Sequence, residues 1–97
     1  MSGLEFELMF PDDFDDEEWL ISAKGYVSDL VVAAGARRFR LNFFDPVRLN
    51  QEAQSAVEEL PCLVERNLVI VSKVDRKHIT AAVSWLAKRG FEDFVPE

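Results

Sequence analysis

The chain has 97 residues, of which 48% are hydrophobic and 30% are charged, a composition typical of one folded domain spanning residues 1–97 and not of a disordered chain. Its net charge of −7 disfavours nucleic acids and anionic membrane surfaces as partners, since both attract clustered lysine and arginine. The single cysteine excludes an internal disulfide, and the first residues lack the basic and apolar regions of a signal peptide, so we expect a cytoplasmic protein.

The negative charge is concentrated near the N-terminus. Residues 1–36 contain nine acidic residues and one lysine, whereas residues 37–97 contain nine acidic and ten basic residues. Six of the acidic residues lie within one short segment: Asp12, Asp13, Asp15, Asp16, Glu17 and Glu18. A concentrated field of this kind attracts oppositely charged partners. We therefore interpret this segment, expected to be a loop, as a docking surface for a basic protein.

The first predicted element is a strand. Leu4, Phe6, Leu8 and Phe10 alternate with other residues, as in a strand with one buried face. Pro11 ends the pattern.

The next segment, Trp19–Ala23, allows two interpretations. The preceding acidic residues and the following Lys24-Gly25 suit the two ends of a helix. The aromatic and β-branched residues from Trp19 to Val27 favour an extended chain. We favour a strand from about Trp19, bent or bulged at Gly25.

A hairpin is predicted next, with arms Leu30–Ala33 and Arg38–Phe44 and a turn at Gly35. In its second arm, alternation places Phe39, Leu41 and Phe43 on one face and Arg38, Arg40 and Asn42 on the other.

Two helices are predicted in the second half of the chain. Asp45-Pro46 begins the first, whose apolar stripe consists of Leu49, Ala53, Ala56, Val57 and Leu60. Asp75 begins the second, whose inner face consists of Ile79, Ala82, Val83, Leu86 and Ala87. Between them, the aliphatic run Leu68–Val71 predicts an interior strand covered on both faces. Phe91 and Phe94 are expected to fold back onto the core.

These elements predict an α+β fold of two layers. The expected order is β-β-β-α-β-α, with a mostly antiparallel sheet and both helices packed on one of its faces. The helical crossover from residue 45 to residue 60 also allows the last strand to return as a parallel neighbour.

No catalytic or metal-binding pattern is complete. Asp13, Asp15 and Glu17 match the first alternating ligands of an EF-hand loop, but Glu18 and Lys24 occupy positions that require glycine and a bidentate acid. The only histidine, His78, and the only cysteine, Cys62, fall short of a zinc site. We expect Cys62 to be a buried, inert thiol, and we predict neither a catalytic residue, a metal nor a cofactor.

Two further groups of residues are candidates for binding. Arg38 and Arg40 share a strand face, either as part of a cross-strand charge ladder with Glu5 and Glu7 or as an anion- or partner-binding patch. On the second predicted helix, His78, Trp85 and Arg89 lie along one flank. Tryptophan and arginine are common interface anchors, although Trp85 could also pack within its own chain.

The sequence thus favours a small acidic interaction protein without catalytic activity: an adaptor, an inhibitor or an immunity-type binder of a basic partner. The first alternative is a self-associating structural module, because a strand covered on both faces needs a second cover that a homodimer would supply. The second is a small-molecule-binding or minor enzymatic domain that uses His78 or Arg40.

Overall fold

The computed structural model describes residues 5–96, which form an α+β arrangement of four strands and three helices. The elements are β1 (Glu7–Met9), α1 (Phe14–Lys24), β2 (Tyr26–Ala34), β3 (Arg37–Phe44), α2 (Pro46–Glu59), β4 (Leu68–Ile70) and α3 (Arg76–Lys88). The strands form one mixed sheet in the order β1-β2-β3-β4. Neighbours are antiparallel except for β3 and β4, which are parallel. The predicted α+β class is confirmed, whereas the predicted element order is wrong by one helix.

That additional helix is α1, in the segment that we expected to be extended. Its first turn contains Asp15, Asp16 and Glu17 and its last turn contains Lys24, so both ends carry the charges that a helix dipole favours. Gly25 ends the helix in the left-handed conformation (φ 80°), and its N–H donates to the carbonyl oxygen of Ile21 at 2.9 Å. These end signals outweigh the strand propensity of the residues between them, and β2 begins directly after Gly25.

The hairpin of β2 and β3 forms as predicted. Ala34 pairs with Arg37, so that only Gly35 and Ala36 form the turn, and Gly35 has a φ of 63°. The register shifts between Val27 and Leu30, where Asp29 adopts a φ of 57°. The bulge therefore lies within β2 and not at Gly25, where a bent strand was expected.

The core lies on one face of the sheet. The predicted inward residues of β3 are all buried. The other core residues come from β2, α1, α3 and the segments that flank α3. The core within residues 5–96 consists of Phe14, Leu30, Val32, Ala34, Phe39, Leu41, Phe43, Val71, Val74, Ile79, Val83, Leu86, Ala87 and Phe91. Phe6, Leu8, Phe10 and Phe94 pack against it, while Leu4 lies outside the described residues. The alternation in β1, the inner face of α3 and the return of Phe91 are therefore confirmed.

The crossover helix α2 begins as predicted but packs differently. Asp45 accepts the N–H of Arg48 at 2.7 Å, and Pro46 occupies the first turn. None of the residues of α2 is fully buried, so its apolar stripe does not join the core. The Arg48 guanidinium lies 4.6 Å from the centre of the Tyr26 ring, which stacks on Phe44. Because Phe44 alternates with the inward-facing Phe43, α2 begins against the opposite, outer face of the sheet and does not share a face with α3.

The aliphatic run around β4 is not an interior strand. Within residues 5–96, β4 has a neighbour on one side only, and its three residues end the sheet. The side chain of Ile70 is aligned with Phe44 on the outer face, and Ile70 is 51% exposed. The predicted covering on both faces is therefore wrong.

Candidate partner-binding surface

The start of α3 holds α1 in place through one arginine. The Nε and Nη2 atoms of Arg76 donate to Asp15 Oδ1 at 3.0 and 2.6 Å. The backbone N–H of Arg76 donates to Glu18 Oε2 at 2.6 Å. The Arg76 guanidinium also lies over the rings of Phe10 and Phe14, at 4.0 and 5.4 Å. Two of the six predicted docking residues thus fasten α1 to α3.

The other four acidic residues of the segment project from the protein. Asp12, Asp13, Asp16 and Glu17 are all exposed. Within residues 5–96, none of them forms an ion pair, and the side chain of Asp13 does not cap the helix that it precedes. The structure therefore places Asp16 and Glu17 in the first turn of α1, whereas Asp12 and Asp13 lie in the turn that precedes it, so the predicted loop is shorter than expected.

Trp19 lies near one of them, Asp16, and was missed by the sequence analysis. At about 100° per residue, it lies about 40° from Asp15 and about 60° from Asp16, on the side of α1 away from Phe14. Phe14 is the one buried residue of α1, whereas Trp19 is 72% exposed. The helical interpretation of this segment would have placed Trp19 outside. We refer to Asp12, Asp13, Asp16, Glu17 and Trp19 as the α1 acidic surface.

The predicted flank of α3 is also at the protein surface. Trp85 is 59% exposed, and the Arg89 guanidinium lies 5.1 Å from the centre of its ring. Arg89 donates to both carboxylate oxygens of Asp93, at 3.0 and 3.2 Å, and lies 3.3 Å from Glu92 Oε1. Hydrogen bonding and attraction by Asp93 raise the pKa of Arg89. Trp85 and Arg89 therefore form one contact, and whether they bind a partner stays a prediction.

His78, the third residue of that flank, is held at the start of α3. Asp75 Oδ1 accepts the backbone N–H of His78 at 2.8 Å and lies 2.6 Å from its Nδ1. Burial raises the pKa of Asp75, but the hydrogen bonds and the charge of His78 outweigh it, so that the pKa lies below the ordinary value of 3.8. The imidazole is thus engaged in the N-terminal cap of α3.

The lowered pKa of Asp75 predicts a pH-dependent contribution to stability. A carboxylate whose pKa is lower in the folded state stabilises above its unfolded pKa of about 3.9, and this stability is lost as the pH falls through the folded value. We expect Asp75→Ala to lower the free energy of unfolding by about 1–2 kcal/mol at neutral pH, and by less near pH 3. Urea unfolding at both pH values measures the change. Asp12→Ala is the control, with an expected change within about 0.5 kcal/mol at either pH.

The two candidate arginines of β3 lie on the outer face, as predicted. Arg38 Nη2 approaches the sulfur of Met9 at 3.6 Å. Arg40 lines a groove of about 180 Å³ together with Arg66, Asn42 and residues near the C-terminus. The amides of Asn42 and Asn67, at this groove, donate to backbone carbonyl oxygens.

The described part of the chain contains no group of three or more histidine, cysteine or carboxylate side chains arranged to hold a metal ion. The expected burial of Cys62 is wrong, because the thiol is exposed in the segment between α2 and β4. None of the helices in residues 5–96 has the length and apolar character needed to cross a membrane.

No protein-family model, curated protein or solved structure matches the chain, so these comparisons do not assign it to a family.

Proposed function

We propose that this protein is a non-catalytic interaction protein that docks a basic protein partner on the α1 acidic surface, in the cytoplasm. One observation carries the proposal: Trp19 is 72% exposed on the same side of α1 as Asp16, a carboxylate that forms no ion pair within residues 5–96. A tryptophan that is not needed for packing is a frequent anchor of protein interfaces. The surrounding negative charge selects a partner with lysine or arginine.

The fold itself explains only part of the acidic segment. Asp15 and Glu18 have a structural role, because both accept hydrogen bonds from Arg76. Asp16 and Glu17 in the first turn also favour the helix dipole, which is worth about 0.3–1 kcal/mol each. Neither role accounts for Trp19, whose exposed ring gains little from the folded state. A partner that covers the ring would remove its apolar area from water.

Within this proposal, the two parts of the surface have different kinetic roles. Asp12, Asp13, Asp16 and Glu17 create the field that accelerates encounter, so their effect appears in the association rate and weakens with salt. Trp19 makes the close contact, so its loss appears mainly in the dissociation rate. The basic groups of the partner would stack on the indole ring and pair with the carboxylates.

Neutralising the four carboxylates of the α1 acidic surface is expected to weaken partner binding enough to prevent capture on a resin. The variant Asp12→Asn, Asp13→Asn, Asp16→Asn, Glu17→Gln removes four charges without shortening a side chain. At low salt, the wild-type protein immobilised on a resin should retain a basic protein from a lysate of its source organism, and the variant should not. The association rate of the purified pair should fall about tenfold, and the dissociation rate should rise about tenfold or more with Trp19→Ala.

The matched control removes four exposed charges elsewhere, through Glu5→Gln, Asp29→Asn, Glu58→Gln and Glu59→Gln. It should retain the same basic protein as the wild type, which separates a local surface from net charge. Retention of the same proteins by the wild type and the α1 variant would contradict the proposal. An affinity that does not change with ionic strength would contradict the role of the field.

The self-associating alternative is supported by a different observation, the open edge of β4, from which the next proposal is argued.

A further inference from the structure

The backbone of β4 has hydrogen-bonding groups that point away from the sheet. The N–H of Asn42 donates to the carbonyl oxygen of Asn67, and the N–H of Val71 donates to that of Phe44, both at 3.0 Å. In a parallel pair, every second residue of a strand bonds to the same neighbouring strand. Because Asn67 and Val71 bond to β3, the N–H and C=O groups of Leu68 and Ile70, which lie between them, point away from β3 to the open side. Within residues 5–96, β3 alone pairs with β4.

The edge borders a groove of mixed character. The groove has about 480 Å³ and is lined by the three apolar residues of β4, by Leu86 and Phe94, and by the polar residues Glu65, Asn67 and Asp93. Proteins usually protect an open edge with charged residues, proline or a covering segment. The three residues of β4 include neither a charge nor a proline, and half of the Ile70 surface is exposed. Such an edge is suited to pairing with another strand.

We propose that β4 is the interface of a homodimer, in which β4 of a second copy pairs with it in antiparallel register about a two-fold axis through Val69. Leu68 of one copy then lies opposite Ile70 of the other. The two residues of such a pair exchange both N–H···O bonds, so the two symmetric pairs form four hydrogen bonds. Every outward backbone group of Leu68 and Ile70 is satisfied, and the two sheets join into one of eight strands.

The charges at the two ends of β4 favour a second copy as the occupant. Glu65 and Arg66 precede the strand and Lys73 follows it, and all three are exposed, with Lys73 Nζ 3.9 Å from Asp75 Oδ2. In the antiparallel pairing, Lys73 of each copy lies opposite Glu65 of the other copy. Two attractive pairs result, whereas a parallel pairing would place like charges together. The pairs of Glu65 and Lys73 therefore favour the antiparallel direction.

The crossover helix is oriented consistently with this arrangement. A two-fold axis through the joined sheet places α2 of both copies on the same outer face and antiparallel to each other. Val57 and Leu60, at the C-terminal end of α2, are 55% and 58% exposed, and Glu58 and Glu59 lie between them. Association would therefore place these exposed apolar side chains of both copies on one face of the joined sheet.

Sedimentation velocity over a range of concentrations tests the interface. The wild-type protein should form a dimer that dissociates on dilution. Ile70→Pro removes an outward N–H without touching a bond to β3, and proline is accepted where the N–H of an edge strand faces solvent. Because the change occurs twice in the dimer, we expect the dissociation constant to rise on the order of 100-fold. Far-UV circular dichroism should remain unchanged.

Two further variants distinguish the loss of the interface from a loss of folding. Ile70→Lys places a charge on the edge without altering the backbone and should also give a monomer. Trp19→Lys is its control, because Trp19 is also exposed, at 72%, but lies on α1, and this variant should remain a dimer. A wild-type protein that stays monomeric at every concentration, or dimers that persist in both Ile70 variants, would overturn the proposal. Trp19→Ala should remain dimeric, so that the test is independent of the α1 acidic surface.

Discussion

Replacing Phe14 with alanine is expected to lower the free energy of unfolding by about 3–5 kcal/mol. Phe14 is 1% exposed and is the one fully buried residue of α1. Its ring lies 4.5 Å from that of Phe10 and under the guanidinium of Arg76. The substitution opens a cavity below the helix and also removes part of the support of the Arg76 contact. A loss of this size is a large fraction of the total stability of about 5–15 kcal/mol that is usual for a domain.

Trp19→Ala provides the control on the same helix, since the larger side chain is mostly exposed. We expect a change within about 0.5 kcal/mol for Trp19→Ala, although more atoms are removed than in Phe14→Ala. Chemical denaturation of both variants, monitored by circular dichroism, gives the comparison. Equal losses for the two variants would mean that the exposed ring contributes to the fold, and Trp19 would then no longer be available as a docking anchor.

The contrast between Phe14 and Trp19 also explains why α1 was misassigned from the sequence. The helix buries one residue and exposes a tryptophan, so it has no continuous apolar stripe at helical spacing. The signals that identify it are at its ends: three acidic residues in the first turn, and Gly25 after Lys24. These signals were recognised, but the strand propensity of the residues between them was given more weight. Local propensity is a weak guide when packing involves so few side chains.

The faces of β3 and α3 could be predicted because each has one buried side. Phe39, Leu41 and Phe43 alternate with polar residues, and the inner residues of α3 recur at helical spacing. The pattern in α2 was equally regular, yet its residues are not fully buried. An amphipathic sequence shows that a face is suited to burial, but it does not show what covers it. The aliphatic run of β4 was misread for the same reason, since an open edge and an interior strand can have the same composition.

The candidate surface was predicted in part. The acidic segment was identified by its charge, but the sequence could not show that Arg76, about 60 residues later, would engage Asp15 and Glu18. Such pairing depends on the tertiary arrangement of α1 and α3, which no local pattern encodes. The remaining four carboxylates retain the charge that motivated the prediction, and Trp19 is an exposed ring that was not anticipated. The structure thus separates the acidic residues that Arg76 engages from those that stay exposed, and docking on the exposed ones stays a prediction.

Of the three glycines within residues 5–96, Gly25 is expected to be the least replaceable, because it lies where α1, β2 and α2 meet. Its carbonyl oxygen accepts the N–H of Asp45 at 2.8 Å, and its φ of 80° is unfavourable for other residues. A Cβ atom at this position would lie 2.6 Å from Asp45 Oδ2 and 2.9 Å from Arg48 Cβ. Both contacts are too close, and relieving them would displace the residue that caps α2. The cost therefore combines backbone strain with overpacking.

We expect Gly25→Ala to lower the free energy of unfolding by about 2–4 kcal/mol, from about 1–2 kcal/mol of left-handed strain and a similar or larger steric cost. Gly35→Ala and Gly90→Ala isolate the first contribution, since both residues have a positive φ (63° and 70°) but no atom within 4 Å of the added methyl group. These two variants should lose about 1–2 kcal/mol each. Urea unfolding of the three variants gives the steric contribution by difference. A loss for Gly25→Ala equal to that of the other two would show that Asp45 moves aside freely, and that the end of α1 does not fix the start of α2.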